Sequence, residues 1–201
     1  MRNFITLVFL LTAFGTLAQE KQMTLEDAIM GRYTYLRPES MNGLTWKTDN
    51  VFTYLENDTL WAEDAKKGKL SPVMSLTGLN AVLNENGNND LKRFPGYSWT
   101  KNGMLLFRNR SQFTVVDSEE KQIAFQIELP EKAENAEFCE TGKYVAFTVD
   151  DDLFVTFADG KTLQITEDGG NGIVNGKTVH RNEFGISDGI YISPKGKFIA
   201  F

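Results

Sequence analysis

The stretch Tyr97-Ser98-Trp99-Thr100-Lys101-Asn102-Gly103-Met104-Leu105-Leu106-Phe107 returns as Ala136-Glu137-Phe138-Cys139-Glu140-Thr141-Gly142-Lys143-Tyr144-Val145-Ala146-Phe147. It returns again as Ile190-Tyr191-Ile192-Ser193-Pro194-Lys195-Gly196-Lys197-Phe198-Ile199-Ala200-Phe201. Each copy runs an apolar or aromatic strand end into a polar turn that closes on glycine, then into an apolar strand ending in Phe. Leu44 to Tyr54 is a looser copy, with Asn in place of the glycine. The turn glycines Gly103, Gly142 and Gly196 lie 39 and then 54 residues apart, bracketing the ~40 to 50 residues of a four-stranded propeller blade. A sandwich of hairpins has no reason to repeat the same turn at the same place. The expected fold is therefore all-β, a partial β-propeller, with an insertion over Gly169 to Gly189 accounting for the longer interval.

Outward from the repeats, the same texture continues. Val51–Leu55, Phe113–Val116, Ile123–Ile127 and Leu153–Phe157 are short runs rich in aromatic and β-branched residues, separated by Asp, Asn and Gly, as strands are. Ahead of them, Thr24-Leu25-Glu26-Asp27-Ala28-Ile29-Met30-Gly31 reads as a short helix. Thr24 caps it, the acids sit in its first turn, and Gly31 is expected as a left-handed stop. The extreme N-terminus has a basic start at Arg2, an apolar run from Phe4 to Leu11 and small residues up to Ala18, the pattern of a cleaved signal peptide. That run is too short for a bilayer span of about 20 residues. The expected organisation is a signal peptide over 1–18, an N-terminal segment with a short helix over 19–40, and about three blades with the start of a fourth over 41–201. The protein is expected to be exported, to the periplasm, with no stable membrane span.

Composition restricts the chemistry. The 201 residues are 41% hydrophobic and 24% charged, with a formal net charge of -6. An acidic chain is poorly suited to the phosphate backbone, so no nucleic-acid partner is expected. One His and one Cys leave no set for His-built or Cys-cluster metal sites; no metal and no cofactor are expected. Cys139 reads as a buried small hydrophobe.

The insertion carries the most specific signal: Gly172-Ile173-Val174-Asn175-Gly176-Lys177-Thr178-Val179-His180-Arg181-Asn182-Glu183-Phe184-Gly185-Ile186-Ser187-Asp188-Gly189. This string, with its His-Arg-Asn-Glu-Phe run and the Ser-Pro-Lys-Gly that follows, resembles the N-terminal propeller of the dipeptidyl peptidase IV family of the prolyl oligopeptidase clan, the bacterial dipeptidyl and prolyl tripeptidyl peptidases above all. The resemblance implies a short helix entering the propeller's central cavity here, whose acid binds the free amino terminus of a peptide. Carried over by motif, that acid is Glu183. The family usually has two adjacent glutamates where this chain has Asn182-Glu183, so release of dipeptides and of tripeptides both stay open.

Several other residues have plainer roles. Gly185-Ile186-Ser187-Asp188-Gly189 fits the Gly-x-Ser-x-Gly elbow, but that device needs a strand feeding a sharp turn into a helix, with its His after the Ser. His180 precedes Ser187, so Ser187 is not expected to be a nucleophile, and no catalytic residue is expected in this chain. His180 reads as a structural hydrogen-bonding residue. Arg181 and Arg110, with Arg108, are further candidates for contact with substrate. Asp150-Asp151-Asp152 reads as a hairpin turn, Asn84 to Asp90 as a polar loop, and Trp46, Trp61 and Trp99 as blade core.

Two functional readings follow. In one, the chain is the front of an exported serine exopeptidase that removes Pro-containing di- or tripeptides, with Glu183 as the amine anchor. Its catalytic Ser, Asp and His would lie on a C-terminal α/β-hydrolase domain outside this sequence, and the resemblance leaves room for a homodimer. In the other, it is a stand-alone propeller-like module that binds peptides or proteins without catalysis.

Overall fold

The computed structural model describes residues 22–38, 40–178 and 183–201, Glu183 by its backbone alone. It divides into two compact units, Met1–Ser40 and Met41–Phe201; the signal-peptide reading of 1–18 falls outside the described residues.

In the first unit, helix α1 (Leu25–Ile29) is started by a reciprocal capping box. The Asp27 amide donates to Thr24 Oγ1 and the Thr24 amide to Asp27 Oδ2, each at 3.0 Å. Two backbone donors that the helix leaves without partners are satisfied in this way. Gly31 is not the left-handed stop its sequence position suggests. It opens a 3-10 turn, Gly31–Tyr33, and a Cβ there would lie 2.7 Å from Leu36 Cδ1. Close approach of the returning chain, rather than backbone handedness, is what calls for glycine.

The second unit is built from antiparallel meanders. Strands β1 (Asn42–Thr48), β2 (Val51–Glu56), β3 (Thr59–Asp64) and β4 (Lys69–Ser75) form one sheet. Strands β5 (Tyr97–Trp99), β6 (Leu105–Asn109), β7 (Gln112–Asp117) and β8 (Gln122–Glu128) form the next. The third holds β9 (Glu134–Cys139), β10 (Tyr144–Val149), β11 (Asp152–Phe157) and β12 (Thr162–Gln164), and a two-stranded sheet pairs β13 (Tyr191–Ile192) with β14 (Ile199–Ala200). Strands follow one another in chain order within every sheet. This is the all-β partial propeller read from the repeats, whose four copies are the first two strands of successive sheets.

The repeated turn is closed by different means in each copy. Gly103 and Gly196 take φ of +75° and +65°, whereas in the middle copy Lys143 takes the left-handed position at φ 49°. Gly142 is needed there for clearance, since a Cβ would sit 2.3 Å from the Tyr144 ring. The first copy dispenses with glycine because Thr48 Oγ1 accepts from the Val51 amide at 3.1 Å, a local side-chain substitute for turn geometry.

The core lies as layers between neighbouring sheets. Leu60 and Met74 meet Leu105, Phe107 and Val116 between the first and second. Phe113 and Ile127 meet Val145 and Phe147 between the second and third, and Tyr144, Ala146 and Leu153 pack on Ile190 before the last. Strand β10 therefore buries both faces, alternate residues going to opposite layers, and reads as an unbroken apolar run. Trp46 departs from its expected place in the core: it is 60% exposed, edge-on to Phe52. Trp61 is half-buried, and Trp99 packs against the first layer.

Between β4 and β5 the chain forms helix α2 (Leu76–Glu85), which the strand-dominated reading of the sequence missed. Ser75 caps it by accepting from the Gly78 amide at 3.0 Å, and Leu79, Val82 and Leu83 are buried on one face. The i, i+3, i+4 spacing and the cap were present in the sequence. Gly78, Asn80 and Asn84 masked them as poor helix formers.

Candidate functional site

In an antiparallel meander the turn between second and third strands and the crossing to the next sheet fall at the same end. That end carries the Asn57-Asp58, Arg110-Ser111 and Asp150-Asp151 turns, helix α2, and the long crossing from Gln164 to Tyr191. The insertion that holds Glu183 is this last crossing.

The crossing is fastened to the third sheet before it reaches Glu183. The Gly169 amide donates to Asp152 Oδ1 at 3.0 Å, the Asn175 amide to the Asp151 carbonyl at 3.0 Å, and Lys177 Nζ pairs with Asp151 Oδ1 at 3.1 Å. Buried Asn175 also donates through Nδ2 to Asp168 Oδ1 at 3.1 Å. The chain then comes back on itself, with Thr178 Oγ1 donating to the Ser187 carbonyl at 2.8 Å. Glu183 opens a 3-10 turn, Glu183–Gly185, in which Phe184 has a left-handed φ of 58°. The resemblance implied a short helix at this point; the described backbone has this single kinked turn. Phe184 is 92% exposed. His180 and Arg181 lie outside the described residues, as does the Glu183 side chain.

Beside the returning arm is a cavity of about 210 Å³ lined by Arg108, Asn135, Glu137, Ser187 and Asp188. Arg108 lies within β6 rather than after it. Its Nε donates to the Arg110 carbonyl at 2.7 Å, and its guanidinium stands 5.0 Å from the centre of the Phe113 ring. Asn135 donates to buried Thr148 Oγ1 at 2.9 Å. Glu137 titrates above the usual glutamate range, first because it is partly buried and then because of the negative charge of Asp188. The cavity thus sets one held cation against two acids.

Arg110 is elsewhere. It lines a second cavity, of about 300 Å³, with Asn88, Asn89, Ser111 and Glu128 between the end of α2 and the β6–β7 turn. Ser111 Oγ donates to Glu128 Oε1 there. What Arg110 gives the first cavity is its carbonyl, which orients Arg108.

Ser187 donates its hydroxyl to Asp188 Oδ2 at 3.0 Å. It lies in extended chain between the 3-10 turn and β13, with no helix after it, so the elbow pattern has none of the geometry that exposes a nucleophile. Among the described residues, no group of three or more His, Cys, Asp or Glu side chains is placed to hold a metal. No helix among them is long and apolar enough to cross a membrane.

Glu137, Asp188, Thr178 and Lys177 were not singled out in the sequence. Glu137 shares its cavity with Asp188 across β9 and the crossing, Lys177 pairs with Asp151 of the β10–β11 turn, and Thr178 reaches Ser187 nine residues on within the crossing; no local spacing signals any of these.

The family model for the dipeptidyl peptidase IV (DPP IV) N-terminal region matches residues 92–201. Among solved structures, a protein from Bacteroides ovatus designated a dipeptidyl aminopeptidase IV is similar at 33% identity and a TM-score of 0.71, over 81% of this chain and 22% of that one. Dipeptidyl peptidase 4 from Porphyromonas gingivalis shares the fold, at 18% identity and a TM-score of 0.54, over 90% of this chain and 27% of that one. This chain therefore spans about a quarter of the length of either.

Proposed function

Because this chain belongs to the dipeptidyl peptidase IV N-terminal region family, we propose that it is the propeller portion of an exported, periplasmic serine exopeptidase that removes Pro-containing di- or tripeptides. In this reading Glu183 anchors the substrate's free α-amine. The observation that supports it most is the crossing itself: the segment whose motif carries Glu183 is bolted to the third sheet and folds back on itself, and its returning arm lines a cavity with a held arginine.

A carboxylate in a partly desolvated cavity pairs with an α-ammonium through charge-assisted hydrogen bonds, each contributing about 1.5–3 kcal/mol. Peptide bonds inside a chain offer no ammonium, so the contact selects chain ends. Arg108, held by the Arg110 carbonyl and the Phe113 ring, is suited to a substrate carbonyl further along the peptide. Proton transfer and acyl transfer would belong to the Ser, Asp and His of an α/β-hydrolase domain.

The test is release of a Pro-ended fragment from matched peptides by the full-length protein. Glu183→Gln is expected to lower kcat/KM for the free-amine peptide about 10- to 100-fold, the kinetic equivalent of one such bond. Acetylating the amine of the peptide should cost the wild type a similar factor and cost the variant little. Activity indifferent to both changes would sink the anchor, and a full-length protein that binds such peptides but releases no fragment would favour the stand-alone binding module.

A further inference from the structure

Resting on the reading of Arg108 as a substrate contact, we infer that Phe113 and Phe138 are positioning residues for it. A stack of rings holds the guanidinium while leaving its terminal donors to a peptide.

Arg108 and Phe113 are direct partners across β6 and β7, so their side chains leave the same face of the second sheet. That face looks toward the third sheet, where Phe113 packs with Ile127, Val145 and Phe147. The Arg108 guanidinium stands 5.0 Å from the centre of the Phe113 ring. The same ring lies 6.1 Å from that of Phe138 on β9, the two planes only 9° apart. Phe138 in turn lies 6.2 Å from Phe125 of β8 at 17°, and Lys143 Nζ stands 5.5 Å from the centre of this last ring. Rings from three strands therefore run in series between two cations. Offset parallel rings and cations over ring faces are both favoured arrangements. Phe113 is 7% exposed, and close packing of this kind leaves a ring little room to turn.

The means by which Arg108 is held decides what it can still do. Its Nε donates to the Arg110 carbonyl at 2.7 Å, and among the described residues its guanidinium forms no ion pair. A carboxylate partner would take the terminal donors in a fork, whereas a ring face takes only the π surface. The Nη donors, without partners among the described residues, are left for the cavity that Arg108 lines with Asn135 and Glu137.

One hydrogen bond at Nε fixes a point, and the guanidinium plane can still swing about it. Phe113 sets that plane, and Phe138 sets Phe113 from β9, the strand that also carries Glu137 across the cavity. The cation and the wall opposite it are thereby referred to one strand. A displacement of only 1 Å at a substrate contact can cost up to about 100-fold in rate, so a loosened stack would be read at Arg108 without any change in the arginine itself.

The test is a double-mutant cycle in the full-length protein, with steady-state kinetics on Pro-containing peptides that have a free amine. Phe113→Leu keeps an apolar side chain in the layer and removes the ring face. It is expected to raise KM about 5-fold at nearly unchanged kcat, the equivalent of one cation–ring contact, while Phe113→Tyr stays within about 2-fold of wild type. In an Arg108→Gln background, itself raised in KM, Phe113→Leu should have no further effect, a pattern that loss of packing alone does not produce. Phe138→Leu, one ring removed from the cation, should raise KM about 3-fold and lose that effect in the same background. Should Phe113→Leu fail to fold, Phe138→Leu carries the cycle. An equal factor in both backgrounds, or no effect in either, overturns the positioning role and leaves Arg108 as a substrate contact. An unchanged KM in Arg108→Gln removes that contact and the positioning role with it. If the full-length protein cleaves no such peptide, the peptidase reading falls. The same cycle on the Kd of a C-terminally fluorescein-labelled peptide, read by anisotropy, then decides the positioning role by the same criteria.

Discussion

Glu137 lies on β9 in the cavity beside the Glu183 segment, and its surroundings favour its neutral form. Burial disfavours the charge, and Asp188 adds repulsion from the returning arm of the crossing. The consequence for stability has a definite sign. Between the ordinary glutamate range and the raised folded value, the native state holds a proton that the unfolded chain has released. Stability therefore falls as pH rises through that window, and above it the native state carries the whole penalty. Replacing Glu137 with Gln removes both the desolvated charge and its repulsion. The variant should melt at a higher temperature than wild type at neutral pH and lose the part of the decline that belongs to this window; parallel melting curves across pH would refute the assignment. The residue was legible as one member of a repeat. Its electrostatics were not, because Asp188 is distant in sequence and meets it only across two elements.

At the scale of elements, the sheets are joined by polar pins as well as by apolar layers. Thr53 in β2 is fully buried, accepts from Trp99 Nε1 of β5 at 2.8 Å and donates to the Thr45 carbonyl at 3.3 Å. Tyr97 lies 3.0 Å from the same hydroxyl and donates to the Gly43 carbonyl at 2.8 Å. Glu140, in the repeated turn of the third sheet, accepts from the Lys101 amide in the turn of the second at 2.7 Å. Tyr144 donates to the Gly196 carbonyl in the turn of the last at 3.0 Å. Thr53→Val conserves volume but leaves the indole N–H without its acceptor in a buried layer, at a cost of about 1–3 kcal/mol. Urea denaturation should show that loss, with Thr53→Ser much closer to wild type; equal stability of Val and Ser would show that the pin adds nothing. The hairpins themselves were readable from alternation and turn residues. Strands β3, β4 and β12 were not, because β12 and much of β4 are exposed and β3 mixes its apolar residues with Glu63 and Asp64, and helix α2 was hidden by its Gly and Asn content.

Across the second unit as a whole, apolar surface collects at the two ends of the series of sheets. Leu44 and Trp46 on β1 are 57% and 60% exposed, and Tyr191, Phe198 and Phe201 around the two-stranded sheet are 53%, 76% and 56% exposed. Flanks of this kind pair with whatever apolar surface is offered. The 201-residue chain by itself is therefore expected to self-associate at micromolar concentration, and Trp46→Lys with Phe198→Lys should return it toward monomer in sedimentation velocity. A wild-type chain that stays monomeric would contradict this. The contrast between the two ends and the layers between them also marks where sequence reading stops. By itself the sequence determined the repeat, and with it the all-β class and the approximate sheet boundaries, because strand periodicity and turn chemistry are local properties carried by adjacent residues. It also marked the crossing with Glu183 by its motif. Only the tertiary structure decided that Arg108 rather than Arg110 faces the cavity beside that crossing, that Trp46 stands outside the core, and that Glu137 and Asp188 share one cavity. Each of those depends on which atoms from distant segments approach within a few ångströms, and sequence spacing does not encode that distance.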